Sequence, residues 1–376
     1  MTDSEGQKSV ALAKCIRYHS QTVRLSLQQV FKPFGGVSNL VKPGQKVLLK
    51  PNLLSAAHPS DAVTTHPLIL KVATELIEEA GGKVYIGDSP GSDSQVKAHR
   101  VCGIDQVIAE TGAEALIFTN HLNYEIKGTR KRTIQLAAEL AEVDLVFNMA
   151  KLKTHSLTGM TAAVKNIYGC IFGMTKGRYH FENPMPLDFS RFLVDVCLAV
   201  KPTFSIIDAV VAMEGAGPRK GRPRQLGLLM ASPNPFALDT VAAAVTGFHP
   251  AEVTTLQAAR ELQLLGSELS AIRIEGLSLD KARVKDFDKG PVSSGNIGRL
   301  AALLPIARIR DILIGRRPYP RVNSELCTGC GVCYEHCPAQ IIDFANSIPD
   351  LDLNGCIRCY CCQEFCPYGA IELFRR

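Results

Sequence analysis

The 376 residues contain no tryptophan, and aromatic side chains make up only 6% of the chain. Its basic residues are dispersed, so there is no aromatic platform interleaved with positive charge, and nucleic acid is not an expected partner. No apolar run approaches the length of a bilayer span, and the opening MTDSEGQKSV is polar and acidic, unlike a secretory or transit segment. A membrane is therefore not an expected partner, and the cytoplasm is the expected location. No low-complexity tract interrupts a composition that is 46% hydrophobic, which implies a globular chain long enough for more than one domain. No Gly-x-Gly-x-x-Gly follows the first apolar run, and GDSPGSDS resembles one only superficially. The loop EGAGPRKGRPRQ lacks the strand, spacing and Gly-Lys-Ser/Thr ending of a P-loop, so neither a dinucleotide nor a nucleoside triphosphate is indicated. Its four basic residues suit either a solvated loop or an anion-attracting flap.

Thirteen cysteines are present and unevenly spread. Cys15, Cys102, Cys170 and Cys197 sit in apolar surroundings and read as inert core thiols. The other nine fall between Cys327 and Cys366, which argues for metal ligation rather than disulfides in a chain without an export signal. Charge divides at the same place. The overall net charge is +6, but from Asn323 onward there are three basic and seven acidic residues, leaving a basic remainder suited to a small anionic substrate.

Two runs carry the strongest chemical signal. CTGCGVCYEHCP supplies Cys327, Cys330, Cys333 and Cys337, and CIRCYCCQEFCP supplies Cys356, Cys359, Cys362 and Cys366, each run ending in proline. This is bacterial two-cluster ferredoxin spacing written twice, with three close thiolates for one cubane and the fourth reaching the other. Cys327, Cys330, Cys333 and Cys366 are expected to hold one [4Fe–4S] cluster, and Cys356, Cys359, Cys362 and Cys337 the second. A structural zinc site would need four ligands as two pairs, not eight as two runs of four. Cys361 is left as a non-ligand thiol beside a cluster.

Before these runs, short Val/Ile/Leu-rich segments alternate with stretches of helical period, the pattern of an α/β domain with a mainly parallel open sheet and helices on both faces. Strands are expected near Val10–Ala13, Lys46–Leu49, Lys83–Ile86, Ala115–Phe118, Leu145–Asn148, Phe204–Ile207 and Leu226–Met230. Helices are expected over Pro67–Ala80, Arg132–Ala141, Thr158–Phe172, Phe189–Lys201, Pro235–Thr246 and Ala251–Leu264. The expected organisation is an α/β substrate-binding domain over 1–275, a connector over 276–322 and a small α+β two-cluster ferredoxin domain over 323–376. The connector contains GRLAALLPIARIRDILIG, an apolar, arginine-flanked segment suited to packing one domain on the other or to lying at a membrane surface.

Ligands of open parallel sheets bind beyond the carboxyl ends of the strands, and polar groups collect there in this sequence. Lys50 and Asn52, Asp88, Lys151, Lys153 and His155, Asp208 and Glu214, and Asp239 each follow an expected strand. Lys165 and Asn166 sit in an otherwise small and apolar helical segment, where an unpaired lysine is costly. Together they read as an anion-binding rim, with the N-terminus of a helix near Thr158, capped by Ser156 or Thr158, adding positive potential. Asp88, Asp208 and Asp239 are expected to orient these groups or to hold a divalent metal.

Lys50-Pro51-Asn52, GDSPG, AKLKTH, Lys165-Asn166, Ile207-Asp208-Ala209, Met213-Glu214-Gly215-x-Gly217-Pro218 and Leu238-Asp239, in this order, resemble the domain-of-unknown-function 362 family in its form fused to a two-cluster ferredoxin domain. The resemblance spans about residues 10–275 and 323–376. It implies an α/β domain with an electron-transfer module and names no reaction.

The expected function is that of an iron–sulfur oxidoreductase passing electrons singly to a small anionic substrate or cofactor at the rim. Lys151, Lys153 and Lys165 would neutralise the anion, and His155 would donate a proton. A redox partner protein or low-potential donor would supply the electrons. The alternatives are a non-catalytic carrier or sensor docking a partner enzyme, and a redox-independent site with structural clusters.

Overall fold

The computed structural model describes residues 8–91, 93–126, 132–173, 175–290, 318–344 and 347–374. The apolar segment at 298–315 lies outside the described residues. In chain order the large domain has strands β1 (Ser9–Lys14), β2 (Lys46–Lys50), β3 (Lys83–Ile86), β4 (Glu114–Ala115), β5 (His121–Ile126), β6 (Arg132–Ala137), β7 (Leu145–His155), β8 (Gly159–Thr161), β9 (Phe204–Glu214), β10 (Arg222–Ser232) and β11 (Arg273–Gly276). All but β5 and β6 form one sheet, ordered β11-β1-β10-β9-β7-β2-β3-β4, with β8 added beside β7. Its β2–β3, β2–β7, β3–β4, β7–β9 and β1–β11 pairs are parallel, while β10 runs against both its neighbours and β8 against β7.

Helices α1 (Ser20–Phe31), α2 (Pro67–Glu79), α3 (Ala163–Asn166), α4 (Thr175–Glu182), α5 (Pro186–Val200) and α6 (Pro235–Val245) surround this sheet. Helix α2 starts where His66 accepts the Leu68 amide and Pro67 presets φ, and α6 starts where Asn234 accepts the amides of Phe236 and Ala237. On one face, Leu27 of α1 and Leu70 and Ile77 of α2 pack on Val47, Leu49, Phe147 and Met149. On the other, Leu238 and Val241 of α6 pack on Ala150, Leu152, Ile207 and Met230. Each such fully buried aliphatic side chain stabilises the fold by roughly 1.5–3 kcal/mol, so the sheet is a rigid support for whatever its strand ends carry.

Several expected elements are corrected. Arg132–Ala137 is a strand, not a helix: Ile134 and Leu136 are buried at period two, and the segment pairs antiparallel with β5. The helix expected over Thr158–Phe172 is broken up. Gly159 has φ +82°, which begins β8, and only Ala163–Asn166 is α-helical, followed by a 3-10 turn over Ile167–Cys170. There is thus no helix N-terminus at Thr158. Strand β7 runs seven residues beyond Asn148, so Lys151, Lys153 and His155 belong to the strand itself and not to a loop after it. Helix α1 had no counterpart among the expected helices.

The connector as far as Gly290 packs on the large domain, with Ala282 and Phe287 buried among the residues under α6. In the small unit, β12 (Tyr319–Val322) pairs antiparallel with β15 (Ile371–Phe374), and β13 (Ile342–Asp343) with β14 (Asp350–Leu351). Helix α7 (Cys361–Phe365) is buried against the large domain. Among the described residues, no helix is long and apolar enough to cross a membrane.

Candidate functional site at the domain junction

Five lysines are buried among the described residues: Lys50, Lys151, Lys153, Lys165 and Lys176. An ammonium removed from water must find a counter-charge or lose its proton, so their partners define the site. Lys50 is paired with Asp88 at 2.7 Å. Lys151 is paired with Asp208 at 3.0 Å and donates to the Tyr18 hydroxyl at 2.9 Å. The other three have no carboxylate of their own. Lys153 donates to the side-chain oxygen of Asn52 at 3.0 Å and to the Val63 carbonyl at 2.7 Å. Lys176 donates to the carbonyls of Ser89 and Pro90. Lys165 lies against two rings, with its ammonium 5.5 Å from the centre of Tyr168 and 5.7 Å from that of Phe189, and feels the Glu364 carboxylate across the chamber.

Lys153, Lys165 and Lys176 converge on a chamber of about 50 Å³, walled also by Asp88, Asn166, Tyr168, His180, Glu364 and Phe365. Hydrogen bonds between amides hold one wall in register: Asn166 donates to Asn148 at 2.8 Å and accepts from Asn52 at 2.9 Å, and Asn52 in turn holds Lys153. Glu364 comes from the small domain, out of the QEF stretch between Cys362 and Cys366. Burial alone would raise its pKa, but Lys165, His155 and His180 hold it well below the usual carboxylate range. It faces more positive charge than it can neutralise, and the chamber keeps a cationic surplus.

His155 sits behind this carboxylate, with Nε2 3.5 Å from Glu364 Oε2. Its Nδ1 accepts the Leu157 amide at 3.0 Å, which leaves the proton on Nε2. Burial, reinforced by Lys165, lowers its pKa to about 4, so the ring is neutral at pH 7. The junction is closed further by Ser156 donating to Gln363 at 3.0 Å and by Phe365 seated over Gly91, where a Cβ would lie 2.3 Å from the ring. Arg219 of the basic loop lies 3.5 Å from the Phe365 carbonyl, so this loop also meets the small domain.

Residues 47–244 match the family described as a domain of unknown function, DUF362. The chain belongs to the DUF362 family. Residues 319–367 match a 4Fe-4S dicluster domain, which makes this DUF362 chain an iron–sulfur protein. A thylakoid-associated protein of Synechocystis sp. is 36% identical over 258 residues, 68% of this chain and 80% of that protein. Among solved structures, the lactate racemase apoprotein of Thermoanaerobacterium thermosaccharolyticum aligns with TM-score 0.39 and 14% identity, covering 62% of this chain and 55% of that one. A protein from Thermotoga maritima aligns with TM-score 0.34 and 15% identity, covering 56% and 55%. The chain spans about half the length of each of these two.

Not all the rim residues expected at the strand ends meet at the chamber. Asp88, Lys153, Lys165 and Asn166 line it. Lys151 and Asp208 form their own buried pair. Glu214 is clasped by Arg222 at 2.9 Å and accepts the Asp288 amide. Asp239 accepts the amides of Ala163 and Val164, at 2.6 and 3.0 Å, and so already occupies the positive end of α3. These engagements separate Asp88, Asp208 and Asp239, and among the described residues no three His, Cys, Asp or Glu side chains could share a metal ion. The expected divalent metal is therefore unsupported. Lys176, His180 and Glu364 were not among the expected site residues. The first two carry a readable signal, a lysine and a histidine four apart on one helix face beside Tyr179, all three buried.

In the dicluster domain, Cys327, Cys330, Cys333 and Cys366 line one cavity, and Cys337, Cys356, Cys359 and Cys362 line another. Each cavity draws three thiols from one run and one from the other. The thiols line its walls and do not converge on a point, which suits the separate corner irons of a cubane better than a single ion. Cys361 lines neither cavity and is fully buried.

The lysines make anion affinity depend on pH. Burial pushes Lys153 and Lys176 down to about 7; Asp88 and Glu364 pull both back up, against Lys165 and Lys151 around Lys153 and against Lys50 around Lys176. Cys170 adds to the set around Lys176. Each ammonium is complete below that value and lost above it, so sulfate, which does not titrate here, should bind about tenfold or more weakly at pH 9 than at pH 6. Calorimetric titration across that range checks this, and a flat profile would mean that neither lysine contributes. The stability effect has the opposite sense. A lysine with a folded pKa below its unfolded one makes the unfolded chain the better proton binder, so stability rises with pH between about 7 and 10.4.

Proposed function

We propose that this protein is an oxidoreductase that passes electrons through two [4Fe–4S] clusters to a small anion held in the lysine chamber between its domains. The observation that carries this reading is the charge of the chamber: Lys153, Lys165 and Lys176 line it, against Glu364 from the cluster-bearing domain and an Asp88 already paired with Lys50. A binding anion would supply the missing charge. Cys327, Cys330, Cys333 and Cys366 hold one cluster and Cys337, Cys356, Cys359 and Cys362 the other, a division supported by the two four-cysteine cavities. When bound, these clusters supply electrons one at a time.

The chain's own residues do the rest. Lys153, Lys165 and Lys176 bind and neutralise the anion, while Asn52 and Asn166 fix the position of Lys153. Phe365 docks on Gly91 at the junction, and the burial of Lys153, Lys165, Lys176 and Glu364 strengthens each charge interaction among them. His155, neutral at pH 7, turns its Nε2 proton toward Glu364 and holds that carboxylate at the chamber wall, while Lys153 and Lys176, which titrate at about 7, are the candidate proton sources. The recessed chamber lined by buried lysines supports an enzyme over a bare electron carrier, which needs only an exposed docking face.

The test is anion binding by anaerobically reconstituted protein, read by calorimetry with phosphate and a panel of carboxylates. A charge-assisted contact in a partly dry site is worth roughly 1.5–3 kcal/mol, so Lys165→Met should weaken binding about ten- to a hundredfold. Lys281→Met, at an exposed position, serves as the control. Equal affinity in wild type and both variants would sink the anion-site reading.

A further inference from the structure

A second space adjoins the lysine chamber. An interdomain cleft of about 990 Å³ shares Ser89, Gly91, Lys176 and Phe365 with it. The chamber alone, at about 50 Å³, has room for a carboxylate or phosphate and little more. The cleft has the size of a site for a whole small molecule. We propose that the two together take a single two-ended ligand: a flat, unsaturated small molecule whose carboxylate or phosphate enters the chamber and whose body lies in the cleft. This rests on the anion-site reading and extends it to the substrate class.

Three features of the cleft support that class. Phe181 of α4 and Tyr334 of the small domain both line it, one from each domain, and are 52% and 54% exposed. Large aromatics left that open in a concave surface mark a ligand site more than a solvated one. Cationic groups line both spaces: Arg178, ion-paired with Glu182 at 3.4 Å, in the cleft, Lys176 in both, and Lys165 in the chamber. Asp93, the acidic residue on the large-domain side, is held by Lys97 at 2.7 Å and by the Ala56 amide, while Glu335 lies on the small-domain side. Finally, Cys337 lines both this cleft and the second four-cysteine cavity. A flat body in the cleft therefore lies against one of the thiols assigned to a cluster. An unsaturated group is the kind that accepts a single electron there, whereas a small saturated anion would leave the cleft empty.

The test uses the full-length reconstituted protein and three probes: 2-naphthoate, which is flat and anionic, 2-naphthalenemethanol, which is flat and neutral, and acetate, which is anionic and small. In calorimetric titrations 2-naphthoate should bind at least about tenfold more tightly than either of the others. Phe181→Ala and Tyr334→Ala should each weaken 2-naphthoate about three- to tenfold and leave acetate within about twofold. Both side chains are half exposed, so iron content and folding should be unchanged. Lys165→Met should weaken both anions. Failure of 2-naphthoate to bind, equal binding of the neutral analogue, or indifference of 2-naphthoate to both aromatic truncations would overturn the two-ended ligand while leaving the anion site standing. Acetate binding unaffected by Lys165→Met would instead remove the anion site on which the proposal rests.

Discussion

Replacing Cys337 by serine is expected to cut the iron content from about eight to about four per chain, and the iron lost should be that of the cluster held mainly by the other run. Cys337 belongs by sequence to the first run, but it lines the cavity of Cys356, Cys359 and Cys362. Double variants turn this into a test of connectivity. Cys337→Ser with Cys359→Ser removes two ligands of one cluster and should lose no more iron than either change alone. Cys337→Ser with Cys330→Ser removes one ligand from each and should lose nearly all. If the second pair keeps about four irons, the crossed ligation is wrong. Because Cys337 also faces the interdomain cleft, its cluster is the one next to the site. Cys330, in the other cavity, is exposed. Electrons arriving from a redox partner would meet that cluster first and leave from the one beside Cys337.

What could be read without the structure was the local chemistry. The cysteine spacing is visible because three ligands of a cubane come from one turn of chain, so short gaps carry the geometry. The polar groups after the expected strands located Asp88 and Lys153, since strand ends in a parallel sheet converge whatever their separation in sequence, and the cost of a lysine in an apolar segment located Lys165 beside Asn166. Glu364 stayed hidden. It lies between two cysteines that the ferredoxin pattern already explains, and its role comes from docking against a domain some two hundred residues earlier in the chain. The fate of Lys151 was equally unreadable. Lys151 and Lys153 differ by two and share a strand face, yet one meets Asp208 and the other an amide, because different elements cover that face at the two levels. The segment from Thr158 to Phe172 misled for a backbone reason, since its small apolar residues suit a helix while Gly159 takes φ +82° and turns the chain into β8.

Replacing Asp208 by asparagine should cause the largest loss of stability of any single change at the rim without touching the site. Its carboxylate takes the Tyr18 hydroxyl at 2.9 and 3.1 Å, Lys151 at 3.0 Å and the amides of His66 and Val210 at 3.1 and 3.2 Å. Lys151 is fully buried, and in the Asn variant it would keep the Tyr18 hydroxyl and at most an amide oxygen, with no counter-charge. Breaking a buried pair in this way leaves an uncompensated charge and costs about 3–5 kcal/mol, read as a lower urea midpoint at pH 7. Lys151→Met is the milder change, because the carboxylate keeps a hydroxyl and two amide donors. Burial already lowers the Lys151 pKa against the pull of Asp208. Without that pull it falls further below the unfolded lysine value, so the unfolded chain binds more protons and the variant gains stability as pH rises toward about 10. Its deficit against wild type should therefore narrow with pH, which a purely steric defect would not do. Neither residue lines the chamber, so iron content and anion affinity should match wild type. A loss below about 1 kcal/mol would place this pair with exposed ion pairs and mean that the lysine is already neutral in the folded protein.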